Sequence, residues 1–212
     1  MKQYIVITAD IIESKKIINE KLIYNSLKKL NINMEDLKNQ SITRFELSRG
    51  DEIQAIFNIE SDVPKIIMSM LYSFYPIKLK IGIGIGEVLR EDIVNKNSWN
   101  SNGVAFYNAR KAIDILNKEK RKKSILYLES SNQSLNNYFN SFYSLNLLNY
   151  NRWKATQWEA VYYYEKYKNL EKVATRLNVS ISAIQQRIAS SNWLQIKEAE
   201  KIFFNEIRIF FQ

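Results

Sequence analysis

The chain has 212 residues, a formal net charge of +9, 46% hydrophobic residues and 25% charged residues, a composition that can fill a folded core. It contains neither cysteine nor histidine, which excludes disulfides, thiolate nucleophiles, Cys/His zinc sites and imidazole acid–base catalysis. Any metal site must therefore use oxygen ligands, which favours Mg²⁺, Mn²⁺ or Ca²⁺.

The first apolar run is short and ends at Asp10, which is typical of a strand and not of a signal peptide. No apolar run approaches the ~20 residues of a membrane span. We therefore expect a cytoplasmic protein with no membrane contact.

Period-two and period-3.6 hydrophobic patterns predict eight elements in the first part of the chain. In chain order they are a strand at 4–9, a helix at 15–30, strands at 43–48 and 52–57, a helix at 63–75, a strand at 78–88, a helix around 105–116 and a strand at 124–128. The order βαββαβαβ predicts an α+β fold, a ferredoxin-like or palm domain with an antiparallel sheet and helices on one face. We predict this domain at 1–128, a connector at 129–152 and a small all-α domain at 153–212.

Acidic residues stand at two places that adjoin in such a sheet. Asp10 ends the first strand, and Asp51 and Glu52 lie at the tip of the hairpin. Carboxylates there could hold Mg²⁺ or Mn²⁺ against a triphosphate. The alternative is that both are common structural residues, one at a strand end and one in a turn.

Three glycines, Gly82, Gly84 and Gly86, alternate with isoleucines along one strand. One face of this strand is therefore apolar and the other is bare backbone. That bare face could be a floor on which a nucleotide lies, or it could allow close packing of a helix of the same chain.

The last sixty residues have a helical pattern. Thr156 to Glu159 predicts a capped helix start, Asn169 and Ser180 predict two more, and Asn178 predicts a left-handed turn. The sequence EKVATRLNVSISAIQQRI resembles bacterial helix-turn-helix units of the sigma-factor region-four kind. Its third helix would read double-stranded DNA through four residues: Ser182, Gln185, Gln186 and Arg187. Its phosphate contacts would come from Lys168, Lys172 and Arg176.

Four segments of the first domain, taken in order, resemble class III nucleotidyl cyclases. They are 10–14, 48–57, 81–88 and 103–110, and the second also resembles the GGDEF hairpin of diguanylate cyclases. Together with the terminal helices, the chain resembles the SatD family of bacteria. The resemblance implies catalytic roles for Asp10, Asp51 and Arg110, metal binding by Asp10, Asp51 and Glu52, and nucleotide binding around Gly50, Gly84 and Gly86.

Two departures from the cyclase pattern concern catalysis. Leu47 stands where these cyclases carry a purine-selecting Lys or Glu, and Asn108 and Arg110 flank Ala109 directly where the family spaces its Asn and Arg two residues away. Our first hypothesis is therefore a DNA-binding regulator, dimeric, whose cyclase-like domain binds a nucleoside triphosphate with Mg²⁺ or Mn²⁺. The alternatives are an active cyclase that makes a cyclic nucleotide signal, and a catalytically dead scaffold for protein contacts.

Overall fold

The computed structural model describes residues 2–13, 20–48, 51–89, 93, 102–118 and 125–207. The chain forms two compact units, one up to Ser144 and one from Leu145 onward. In the part of the chain that is described, no helix combines the length and apolarity needed to cross a bilayer.

The first unit contains the elements in the predicted order. They are β1 (Tyr4–Ile11), α1 (Glu20–Asn33), a 3-10 turn (Glu35–Leu37), β2 (Glu46–Ser48), β3 (Glu52–Asn58), α2 (Val63–Phe74), β4 (Leu79–Gly86), α3 (Val104–Lys118) and β5 (Leu126–Glu129). A further helix, α4 (Gln133–Tyr150), occupies most of the predicted connector, and the division between the units falls within it.

The five strands form one mixed sheet in the order β2-β3-β1-β4-β5. The prediction of a purely antiparallel sheet is wrong, because β5 runs parallel to β4 while the other neighbours are antiparallel. The reason is α3, which connects β4 to β5 as a crossover helix and brings the chain back in the same direction. The central strand β1 lies between β3 and β4.

Glycine alternation in β4 produces two different sheet faces. The isoleucines of β4 are buried on one face, which we call the isoleucine face. On the other face, the glycine face, α3 lies directly on the strand: a Cβ added to Gly84 would come 2.0 Å from the carbonyl oxygen of Ala105 and 2.3 Å from the nitrogen of Ala109. The helices α1 and α2 pack against each other.

Local signals set the limits of α2. The Asp62 carboxylate accepts a hydrogen bond from the Lys65 N–H at 3.1 Å, and Pro64 lies in the first turn, where its missing N–H costs little. The helix ends at Phe74, ahead of Pro76.

The second unit contains four helices after α4. They are α5 (Ala155–Tyr167), α6 (Leu170–Leu177), α7 (Ile181–Ser190) and α8 (Trp193–Ile207). The predicted caps are confirmed, since Asn169 accepts from the Lys172 N–H and Ser180 from the Ala183 N–H. Asn178 has the expected left-handed conformation, at φ 51° and ψ 51°. The start of α5 was predicted too late: the helix begins at Ala155, and the Gln157 side chain accepts from the Lys154 N–H.

Tryptophans form the centre of the second unit. The sequence predicts Trp153, Trp158 and Trp193 as core residues, and all three are buried. The Trp153 indole N–H donates to the Ser191 carbonyl at 2.9 Å. The apolar pattern of α7 predicts that Ile181, Ile184 and Ile188 face inward. Ile184 and Ile188 are buried, but Ile181, at the first position of the helix, is 41% exposed.

Candidate functional site

The end of β1 adjoins the hairpin that leads into β3. Asp10 pairs with Glu52 on one side and with Lys80 on the other, so the three side chains form a row on the glycine face. The Ile11 N–H donates to the Asp51 carbonyl at 3.1 Å. The two acidic segments are therefore neighbours, held together by main-chain contacts.

Basic and amide groups from α3 and β4 surround this row. The Arg110 guanidinium binds the Glu52 carboxylate at 2.5 Å, and Glu52 is mostly buried while half of the Arg110 side chain is exposed. The Lys80 ammonium donates to the Asn117 side-chain oxygen at 2.5 Å. We call these five residues the carboxylate cluster: Asp10, Glu52, Lys80, Arg110 and Asn117.

Asp10 lies in an unfavourable electrostatic position. Burial raises the pKa of its carboxyl above the ordinary value, and the negative charges of Glu52 and Asp51 raise it further. Arg110 and a hydrogen bond with Asn117 partly oppose this rise in pKa. A cation beside Asp10 would relieve the same repulsion, and carboxylate oxygens suit Mg²⁺ or Mn²⁺.

The described residues contain no group of three acidic side chains placed to share one metal ion. Glu52, predicted as a metal ligand, is engaged by Arg110. Of the three predicted ligands, Asp10 is the one whose pKa burial and the neighbouring negative charges raise.

The predicted nucleotide floor does not form. Gly84 and Gly86 lie beneath α3, and a Cβ on Gly86 would come 2.8 Å from the Val104 side chain. Close packing of a helix explains these glycines, so their assignment to nucleotide binding is not supported by an open surface. Gly50, assigned with them, lies outside the described residues.

The structure shows the contacts of Asn108 and Leu47, the two residues at which the sequence departs from the cyclase pattern. The Asn108 side chain donates to the Ile85 carbonyl at 2.8 Å, which fixes α3 to the end of β4. Leu47 pairs with Ile53, so it lies on the isoleucine face, away from Asp10 and Glu52.

The second unit presents a polar helix surface. In α7, Ile184 and Ile188 are buried. The four predicted DNA-reading residues lie on its outer side, with Arg187 half-buried and the other three exposed: Ser182, Gln185, Gln186 and Arg187.

Cations of α6 lie near this surface. Lys172 and Arg176 are exposed and one helical turn apart, and the Arg176 guanidinium carbon lies 5.5 Å from the centre of the Tyr163 ring. Lys168 differs, because its ammonium binds the Glu165 carboxylate at 2.5 Å.

Glu165 joins α5 to α8. It accepts hydrogen bonds from Lys168, Lys197 and the Trp193 indole N–H. Burial raises the pKa of the Glu165 carboxyl, but these three donors outweigh burial and hold that pKa below its ordinary value. These hydrogen bonds indicate that Glu165 has a structural role in the second unit.

Comparison with protein families identifies the family to which the chain belongs. The family model described as "SatD family" matches residues 4–201. The chain belongs to the SatD family. A search of curated proteins finds no match. Among solved structures, a bacterial light-regulated adenylyl cyclase is similar at 13% identity and a TM-score of 0.40, covering 60% of this chain and 75% of that chain.

Lys80 and Asn117 of this SatD-family protein were not predicted as site residues. A signal for Lys80 was present, since it continues the glycine phase of β4 toward Asp10. Asn117 had no such signal, because its place beside Lys80 depends on how α3 crosses the sheet.

Proposed function

We propose that this SatD-family protein is a regulator that binds double-stranded DNA through α7. The observation that carries the proposal is the division of α7 into a buried apolar side and an outer polar side. The succession of α6, the left-handed turn at Asn178 and α7 supports the proposal of a helix-turn-helix, whose second helix would enter the major groove.

The outer side chains of α7 suit base recognition. Glutamine pairs with adenine and arginine with guanine in the major groove. Gln185 and Gln186 are exposed on α7 and Arg187 is half-buried, and all three side chains would contact base edges.

The cations of α6 would contact the DNA backbone. Lys172 and Arg176 lie one turn apart, and the Tyr163 ring supports the Arg176 guanidinium from one side. The contribution predicted for Lys168 is smaller, because its charge is paired with Glu165.

The test is a titration of the full-length protein with labelled duplexes at about 50 mM and about 200 mM salt, beginning with its own promoter region. We expect Lys172→Ala to weaken binding to all duplexes and reduce the salt slope by about one. Arg187→Ala should instead reduce discrimination between sequences by about 1–3 kcal/mol. Lys28→Ala, an exposed change on α1, is the matched control. Absence of salt-sensitive binding would reject the proposal.

A second candidate function is binding of a nucleoside triphosphate with Mg²⁺ or Mn²⁺ at the first unit. The observation favouring it is the adjacency of the two acidic segments: Asp10 pairs with Glu52, and the Ile11 N–H donates to the Asp51 carbonyl at 3.1 Å. Burial and the charges of Glu52 and Asp51 raise the pKa of Asp10, in keeping with such a role. Asp10 and Asp51 would hold the metal, and Arg110 would exchange its bond to Glu52 for a phosphate. A bound metal would neutralise phosphate charge and activate a hydroxyl for attack.

Calorimetry with Mn²⁺ and either ATP or GTP tests this second function. We expect binding to wild type, loss of binding in Asp51→Asn, and no effect of Asp114→Asn, an exposed change on α3. Turnover should be weak or absent, because Leu47 supplies no purine-selecting group. Robust turnover abolished by Asp10→Ala would favour the active cyclase, and lack of any binding would favour a scaffold.

A further inference from the structure

Ile181 is an exposed apolar side chain on a helix whose other isoleucines are buried. It occupies the first position of α7 and is 41% exposed, whereas Ile184 and Ile188 are buried. A single exposed apolar residue is ordinary on a protein surface. The position of Ile181 matters, because the N-terminal residues of the second helix of a helix-turn-helix contact base edges in the major groove.

Ile181 also lines an open groove between α6 and the start of α7. Its apolar lining includes Ile181 and the half-buried Val179, and its polar lining includes the exposed side chains of Thr175 and Ser180. Side chains of a helix lean toward its N-terminus, so the isoleucine at the first position is presented at the tip of α7. The tip therefore offers apolar surface between hydroxyl groups.

Charges around this groove favour a base edge over a phosphate as its occupant. Among the described residues that line the groove there is no lysine or arginine, and the charged lining residue is Glu171. A phosphate would have no basic partner there and would be repelled by Glu171, whereas a base edge is neutral. Lys172 and Arg176, each next in sequence to a groove residue, are exposed beside the groove and suit the phosphates.

The apolar character of Ile181 indicates which base it would meet. Thymine presents an apolar group in the major groove, its C5 methyl, next to the O4 acceptor. The exposed Ser182 has its hydroxyl 2.9 Å from that of Ser180, which accepts from the Ala183 N–H. Ser180 can donate its own hydrogen to Ser182, which leaves the Ser182 hydrogen for thymine O4.

We propose that Ile181 is a specificity-determining residue that contacts the C5 methyl group of a thymine. This inference rests on the proposed binding of DNA through α7. The contact removes apolar surface of both groups from water, so it stabilises the complex with thymine relative to the same duplex without that methyl group. Gln185 lies one helical turn after Ile181, so the two side chains are neighbours on the helix surface.

The test replaces thymine by deoxyuridine, which keeps O4 and lacks the methyl group. The full-length protein is titrated with a pool of duplexes of random sequence, and the best-bound duplex is then made with deoxyuridine at one thymine at a time. We expect wild type to bind about fourfold more weakly when the methyl is removed at the contacted thymine, the loss of roughly one buried carbon. Ile181→Ser should bind the thymine and deoxyuridine duplexes equally.

Ile32→Ser is the matched control, because Ile32 is an isoleucine of α1 that is 58% exposed, and this variant should show the wild-type loss. A merely structural role for Ile181 would lower affinity without removing the difference between the two duplexes. The deoxyuridine series on wild type stands even if a variant fails to fold. The inference is overturned if deoxyuridine costs nothing at every thymine, or if Ile181→Ser keeps the wild-type loss. Failure of wild type to bind any duplex would reject the proposed function as well, whereas salt-sensitive binding without a methyl effect would reject this inference alone.

Discussion

Asp10 is the residue at which folding and the proposed chemistry oppose each other. Burial and the neighbouring charges of Glu52 and Asp51 raise its pKa, so its ionised form is less favourable in the folded protein than in the unfolded chain. An uncharged side chain at this position would avoid the cost of ionisation. The opposition is what a cation-binding role would produce, since a bound cation removes the cost.

We predict that Asp10→Asn raises the melting temperature at pH 7 without added metal and changes it little at pH 3. Because the folded pKa lies above the ordinary value of 3.8, wild type loses stability as the pH rises from about 3.8 through the folded pKa, while the asparagine variant does not. Calorimetric unfolding at the two pH values is the measurement, with Asp114→Asn as the control. A variant less stable than wild type at pH 7 would contradict the account.

The contact between β4 and α3 is the element-scale feature that organises the first unit. Backbone atoms of the helix lie against the backbone of the strand, so the helix axis is closer to the sheet than side chains would allow. This closeness brings Arg110 within reach of Glu52 across β1.

We predict that Gly84→Ala destabilises the fold by about 3 kcal/mol or more, because its Cβ would collide with helix backbone that cannot move aside. Gly86→Ala is the milder comparison: its Cβ would come 2.8 Å from the Val104 side chain and 2.9 Å from the Ala105 nitrogen, longer than the backbone contacts at Gly84, and we expect a loss of about 1–2 kcal/mol. Denaturant unfolding measures both. Equal losses at the two positions would show that the closeness of the helix backbone does not determine the loss.

Signals confined to a few residues were read correctly from the sequence. The caps at Asn169 and Ser180 and the left-handed Asn178 depend on local hydrogen bonding, and the element order follows from hydrophobic period. Features that depend on packing between residues far apart in the sequence were not predicted correctly. The parallel direction of β5 and the exposure of Ile181 follow from how whole elements pack, which hydrophobic period and residue propensity do not encode. The same packing decides between the two alternatives that the sequence left open for Gly84, in favour of a covering helix.

The candidate site divides in the same way. Asp10 and Asp51 could be identified because each stands at an element boundary visible in the sequence. The bond between Arg110 and Glu52 joins residues 58 positions apart, and no local pattern predicts such a pair.

On the scale of the whole molecule, the net charge is +9, and the proposed DNA contact would use only a few of the basic residues. A single small module with modest charge binds DNA weakly, so useful affinity requires two modules on one duplex. The proposed regulator is therefore expected to bind as a dimer at paired half-sites.

We predict two chains per specific duplex, measured by sedimentation of the complex. Half-sites should lie about 10 base pairs, or a multiple, apart, because that spacing places both major grooves on one face. Insertion of about 5 base pairs between them should weaken binding at least about tenfold, whereas insertion of about 10 should be tolerated better. Insensitivity to the half-turn insertion would indicate that single chains bind independently.

The backbone contact between α3 and β4 also determines how fast the Arg110–Glu52 pair can rearrange. Since helix and strand touch through main-chain atoms, the base of Arg110 is fixed relative to Asp10, and the helix cannot slide without breaking the sheet contact. Rearrangement of the Arg110–Glu52 pair is then left to side-chain torsions, which in exposed residues change within about picoseconds to nanoseconds. The rate at which a ligand enters the carboxylate cluster would therefore be governed by diffusion and desolvation. No slow movement of α3 relative to β4 would be required.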